Sequence, residues 1–169
     1  QSQSYMLYTE YKRPVKEFFW TLMLNHFNIR QDYLMHTEYQ DNQFKLTSLE
    51  HPHRTENYQA RSLISKGFYS WNLKASLEAV YQYGKGLQAG QGIVQPYENH
   101  WLSLKPKLNW NPTHWLTASY QAEIGCSRTM SLPTLWEVQQ KLSLSIGTDT
   151  WNLSLNGEHY RNELSPNEF

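Results

Sequence analysis

A single cysteine, Cys126, stands in 169 residues, so no intrachain disulfide framework and no structural zinc site built from two or more cysteines can form. Net charge is missing as well, because 15 Lys+Arg balance 15 Asp+Glu. A chain without a basic excess lacks the electrostatic footprint of a nucleic-acid binder, and no nucleic-acid partner is expected. Mean hydropathy is −0.73, and nothing approaches the ~20 consecutive apolar residues of a membrane helix. Gln1-Ser2-Gln3-Ser4 shows no signal-peptide pattern. A helical span is thereby excluded, whereas a span made of strands is not. Hydrophobic residues total only 39%, yet aromatics reach 15%, with 7 Trp and 12 Tyr. That many rings argue against disorder, and they suit boundaries between oil and water.

What is present is period-two alternation. Trp71, Leu73, Ala75, Leu77, Ala79, Tyr81 and Tyr83 interleave with Asn72, Lys74, Ser76, Glu78, Val80 and Gln82, which predicts a long strand. The same pattern predicts strands over 102–110, 116–124, 136–146 and 151–155, with Pro106 as a flaw because proline removes a ladder hydrogen bond. Segments 5–11, 17–27, 33–40, 43–50 and 57–66 read the same way, giving an antiparallel meander of about ten long strands and no helix of more than a turn. Several candidates approach the 9–11 residues of a tilted membrane strand rather than the five or six usual in soluble sheets.

The connections alternate in length. Those at Lys12-Arg13-Pro14-Val15, Asp41-Asn42, Gly67-Phe68-Tyr69, 111–114 and 147–150 are short, whereas those at 51–56, 84–95 and 127–134 are longer and richer in Gly, Pro and charge. A meander puts alternate connections at one end, so a tight end and a loop-bearing end are expected, as in outer-membrane barrels. Trp20, Trp71, Trp110 and Trp151 cluster beside the short turns, as an interfacial aromatic girdle would, and Trp101 and Trp136 follow long connections. Trp101 and Trp115 fall on the polar parity of their strands. From Trp71 onward the apolar parity holds no Asp, Glu, Lys or Arg through the span, and the opposite parity holds Lys74, Glu78, Lys105, Lys107, Glu123, Glu137, Lys141 and Glu158. Such segregation is what lipid requires of a barrel's outer face. Any half-buried sheet shows it too.

Chemistry-bearing residues are few. His51-Pro52-His53 offers two imidazoles without an identifiable third ligand, so no metal is assigned. His100 and His159 lie near strand ends on the apolar parity, where an imidazole suits an interface. Cys126 has no orienting partner in view for nucleophilic work. Glu123, Glu137 and Glu158 among Lys105, Lys107 and Lys141 read as a ladder of ion pairs more readily than as a glycosidase pair. Gly84-Lys85-Gly86 and Gly90-Gln91-Gly92 precede no helix and form no phosphate loop. Neither an enzyme activity nor a cofactor is expected.

The runs Tyr8-Thr9-Glu10-Tyr11-Lys12-Arg13-Pro14-Val15-Lys16-Glu17-Phe18-Phe19 and Leu63-Ile64-Ser65-Lys66-Gly67 resemble the barrel of Bacteroidetes-type TonB-dependent outer-membrane receptors. Trp101-Leu102-Ser103-Leu104-Lys105-Pro106-Lys107-Leu108-Asn109-Trp110 is similar in the same way. So are Gln139-Gln140-Lys141-Leu142-Ser143-Leu144-Ser145-Ile146 and Leu153-Ser154-Leu155-Asn156-Gly157-Glu158-His159-Tyr160-Arg161-Asn162-Glu163-Leu164. The resemblance implies a large plugged barrel in the cell outer membrane, energised through an inner-membrane coupling protein and used for nutrient uptake. No plug and no energy-coupling box is read in residues 1–169, which are therefore expected to be a single β-barrel section, incomplete at both ends. Its partners would be outer-membrane lipid and the remainder of the barrel and plug. Ligand contact is expected beside the longer loops, at Tyr97, Arg128 and Trp136. The rival reading is a soluble β-barrel that turns the apolar parity inward around a small hydrophobic ligand.

Overall fold

In the computed structural model, residues 1–40, 43–90, 93–130, 132–148 and 150–163 are described. They form one antiparallel meander of eight strands in sequence order, β1 (Ser2–Arg13), β2 (Phe18–Gln40), β3 (Gln43–Phe68), β4 (Leu73–Gly90), β5 (Ile93–Thr113), β6 (Leu116–Thr129), β7 (Leu135–Gly147) and β8 (Asn152–Asn162). The sheet is not closed, so β1 and β8 are its edges.

The all-β meander agrees with the alternation, but eight strands replace about ten. Segments 17–27 and 33–40 are one strand, as are 43–50 and 57–66. The polar stretches between them, which resemble loops in composition, pair with each other through Asn28↔Glu56, Arg30↔Arg54 and Gln31↔His53. The register shifts between Gln31 and Tyr33, opposite Pro52, and a bulge there absorbs a proline that has no N–H for the ladder. At Pro106 the β5–β6 pairing is interrupted without a bulge, for the register runs unshifted from Leu104↔Ile124 to Lys107↔Gln121 with no pair between.

Fusing two strand pairs changes which turns share an end. The turns at Pro14–Lys16, Tyr69–Trp71, His114-Trp115 and after Gly147 lie together. The Asp41-Asn42 turn, grouped with these by its length, lies outside the described residues. Its flanking pair Gln40↔Gln43 belongs to the opposite end. There the residues read as loops at 51–56 and 84–95 are strand, wherever they are described, so the asymmetry is one of tall hairpins against short turns.

Two tight turns share one geometry. Each is a single 3₁₀ turn closed by a left-handed residue, Glu17 at φ 47° and Asn72 at φ 47°. Asparagine visits that region readily, whereas glutamate meets a Cβ penalty there. Gly67 opposite leaves the space into which the Glu17 side chain folds, since a Cβ on Gly67 would collide with it. Glu17→Gly is expected to stabilise the sheet by about 1 kcal/mol, read as a higher urea midpoint, and Asn72→Gly to change it by less.

A domain ordinarily packs two layers around its core. Here there is one layer, and among the described residues the buried apolar side chains are Leu34, Val80 and Ala122. Leu77, Leu104 and Leu144 share one face of the sheet and do not converge on a closed interior; Leu77 is 42% exposed, and Leu142, next to Leu144 on the same face of β7, is 56% exposed.

Candidate functional site

The register joins the apolar parities of all eight strands into one surface. One row runs Leu7, Leu24, Ala60, Tyr81, Leu102, Cys126, Trp136. Another runs Tyr11, Trp20, Ile64, Leu77, Pro106, and is carried past the proline by its flanking pairs to Ala122, Gln140 and His159. No other segment among the described residues covers this face.

Aromatic rings bound it at both ends. At the tall end Tyr5, His26, Tyr58, Tyr83 and His100 are successive cross-strand partners on five neighbouring strands. Ring centroids are 6.0, 4.4, 6.0 and 4.8 Å apart along the row. The Tyr81 hydroxyl lies 2.8 Å from His100 Nδ1. Beyond this row the same face becomes charged within one residue pair. Glu56 accepts from Lys85 at 3.1 Å and Arg54 at 3.0 Å. The Lys85 hydrogen bond holds the Glu56 carboxyl below the usual carboxylate range, and the same bond raises Lys85. At the tight end Phe68 stacks on Trp71 at 6.0 Å, and Trp110 Nε1 donates to the Trp71 carbonyl at 3.1 Å. Trp20 Nε1 donates to Ser62 Oγ at 3.0 Å. Rings that give their one polar atom a protein partner can turn the rest toward hydrocarbon.

The band between the rings crosses the sheet diagonally. The Tyr11 row marks its lower limit on β1 but meets β8 at His159, its upper limit there, and the band continues down β8 to Leu153. That slide of about six residues over seven strand steps, at ~3.3 Å per residue and ~4.8 Å per strand, is ~20 Å over ~34 Å, a slope of about 30°. A band level in a bilayer requires strands tilted by that angle, near the roughly 35–45° of outer-membrane barrels. Its height fits as well. His100 and Trp110 on β5 are separated by ~33 Å along the strand, or ~28 Å at that tilt, beside the ~25 Å apolar band of such barrels.

The opposite face is polar. Arg61 pairs with Glu78 at 3.1 Å, Lys105 with Glu123 at 2.6 Å and Lys141 with Glu158 at 3.0 Å. Ser103, fully buried, donates to Glu123 at 3.2 Å. Toward the tall end charge gives way to amides. Asn25 donates to Gln59 at 3.1 Å, and Gln82 and Trp101 continue that row. Asn57, Gly84 and Asn99 form the next row. A Cβ on Gly84 would collide with both asparagine side chains, and one on Gly86 with the Tyr97 ring, so these glycines let larger neighbours lie flat across the strand. The resulting groove of about 560 Å³ runs from Met6 to Asn99. Its amides supply donors and acceptors in equal number, which suits a neutral polar ligand.

The expected aromatic girdle residues Trp20, Trp71, Trp110 and Trp151 all lie at the tight end. The three expected ligand contacts are not brought together. They lie on strands rather than loops, with Tyr97 on the polar parity opposite Gly86 and Arg128 and Trp136 on the apolar parity opposite His100 and Cys126. Trp101 keeps the polar parity and stands nearer the amide groove than Arg128 or Trp136 does. Its signal in the sequence was that departure from the apolar parity. The Tyr/His row carried no local signal, because only the register aligns its members.

His53 Nδ1 lies 2.9 Å from the His51 carbonyl, and among the described residues no group of three or more His, Cys, Asp or Glu is placed to hold a metal. Cys126 sits between Leu102 and Trp136 in its row. Glu123 and Glu158 are each bound by a lysine, and the Glu137 side chain folds over Gly125. Comparison with known protein families, with curated proteins and with solved structures finds no match to this chain.

Proposed function

We propose that this chain is a section of the β-barrel wall of an outer-membrane TonB-dependent receptor that takes up nutrients. The observation that carries the membrane reading is the apolar band, continuous over eight strands and flanked by rings at both ends, which no other described segment covers; Lys66, at its tight margin, lies over the Phe68 ring and donates to the Lys16 carbonyl. Lipid is the partner that removes such a surface from water without leaving backbone groups unpaired, since the ladders satisfy them internally. The remainder of the barrel would pair with the free edges of β1 and β8, and a plug would face the polar side, where the amide groove offers ligand contact. The receptor class rests on the strand-and-turn resemblance, with the inner-membrane coupling protein as partner of the intact receptor. The role is binding and passage rather than catalysis.

A soluble barrel would curl the other way and enclose the apolar face. Spin labels at position 104 and, separately, at 105, in a Cys126→Ser background refolded into bilayers, decide between them. The label at 104 is expected to be relaxed by oxygen and shielded from a water-soluble nickel complex, and the label at 105 to show the reverse. Equal access of nickel to both, or a label at 104 shielded from both reagents in plain buffer, would remove the membrane reading.

A further inference from the structure

We propose that a phosphate group docks in the niche formed by Arg30, Arg54, Asn28 and Gln3, carried there by a lipid of the surrounding leaflet. Arg30 and Arg54 are direct cross-strand partners, an arrangement that places like charges side by side and destabilises a ladder unless an anion lies between them. Arg54 Nε is held at 2.8 Å by Asn28 Oδ1 and at 3.0 Å by Glu56, so its outer nitrogens remain free to turn into the niche. The Arg30 guanidinium has no ion-pair or hydrogen-bond partner among the described residues.

Both arginines line a cavity of about 430 Å³ whose other walls are amides, Pro52 and His53, with no carboxylate among them. Asn28 is buried. The bulge opposite Pro52 shapes this space, and the missing N–H of proline leaves the charged side chains as its main donors. Guanidinium forks match phosphate oxygens two at a time.

Position identifies the carrier. Arg30 follows His26 by four residues on the same parity, placing the niche ~13 Å along the strand beyond the Tyr5–His26–Tyr58 row. It is on the face assigned to lipid, where headgroups begin. The lipid source thus rests on the membrane reading, whereas the affinity for phosphate does not.

The test is phosphorus NMR of the full chain in neutral detergent micelles containing a few per cent phosphatidic acid. The native chain is expected to shift and broaden the phosphomonoester resonance, with binding weakened about tenfold or more in Arg30→Gln and again in Arg54→Gln. Arg30→Lys should retain part of it, and Lys107→Gln, on the other face, all of it. Circular dichroism confirms that each variant keeps its strands. No change with the native chain, or equal binding by the Arg30→Gln/Arg54→Gln variant, would overturn the proposal. Persistence of the signal against excess inorganic phosphate assigns the site to lipid, and displacement at equal concentration overturns the lipid source in favour of dissolved phosphate. Should the chain prove soluble without detergent, titration with inorganic phosphate in that buffer still tests the niche independently of the membrane reading.

Discussion

Leu104→Arg is expected to lower the folding free energy in a bilayer by about 2–4 kcal/mol, the cost of a guanidinium on a lipid face near mid-depth. Leu104 lies well inside the band on β5, between Ala79 and Ile124, too far from either ring row for its replacement to reach water without thinning the membrane. The matched substitution on the other face, Gln139→Arg, should stay within about 0.5 kcal/mol. Its cross-strand neighbour there is Glu123, and Glu158 lies within hydrogen-bond distance. The sign of the difference is diagnostic. If water covered the apolar face, replacing a partly exposed leucine by arginine would be nearly neutral. Urea titration of tryptophan fluorescence in bilayers measures both, and a cost below about 0.5 kcal/mol for Leu104→Arg would contradict a lipid-facing surface.

Glu123→Leu is expected to cost about 2 kcal/mol through the polar face. Glu123 accepts from Lys105 at 2.6 Å and from Ser103 at 3.2 Å. Lys105 is partly exposed and can recover water, so loss of that pair alone is worth little. Ser103 is fully buried, and its hydroxyl, once abandoned, carries a desolvation penalty of about 1–3 kcal/mol. Glu123→Gln keeps an acceptor for Ser103 and should cost less than half as much. In Ser103→Ala/Glu123→Leu the orphaned hydroxyl is gone, and about 1 kcal/mol should return. Strict additivity in this double-mutant cycle would show that Glu123 and Ser103 do not act together.

Strand identity was legible wherever alternation was uninterrupted, as over 71–83 and 136–146, because period two is a property of neighbouring residues. It failed at 28–32 and 51–56. Each of these stretches is polar by itself, and each is stabilised as strand by pairing with the other. That local error propagated, since a miscounted strand exchanges the ends to which later turns are assigned, as it did for Asp41-Asn42. The ligand contacts were less legible still. Tyr97, Arg128 and Trp136 were grouped by nearness to glycine-rich or polar stretches, whereas parity and register distribute them over two faces.

The sequence alone determined that no stretch is long and apolar enough for a membrane helix, that charges keep to one parity of the later strands within the span, and that indoles gather at the short turns. These follow from residue type and spacing along a single chain. Only the tertiary structure decided that the apolar parities of eight strands join into one band that no other described segment covers, that the band climbs at about 30°, and that Tyr5, His26, Tyr58, Tyr83 and His100 form a row. Register between strands is set by hydrogen-bond pairing over long separations, and a shift of one residue would turn every side chain of a strand to the other face.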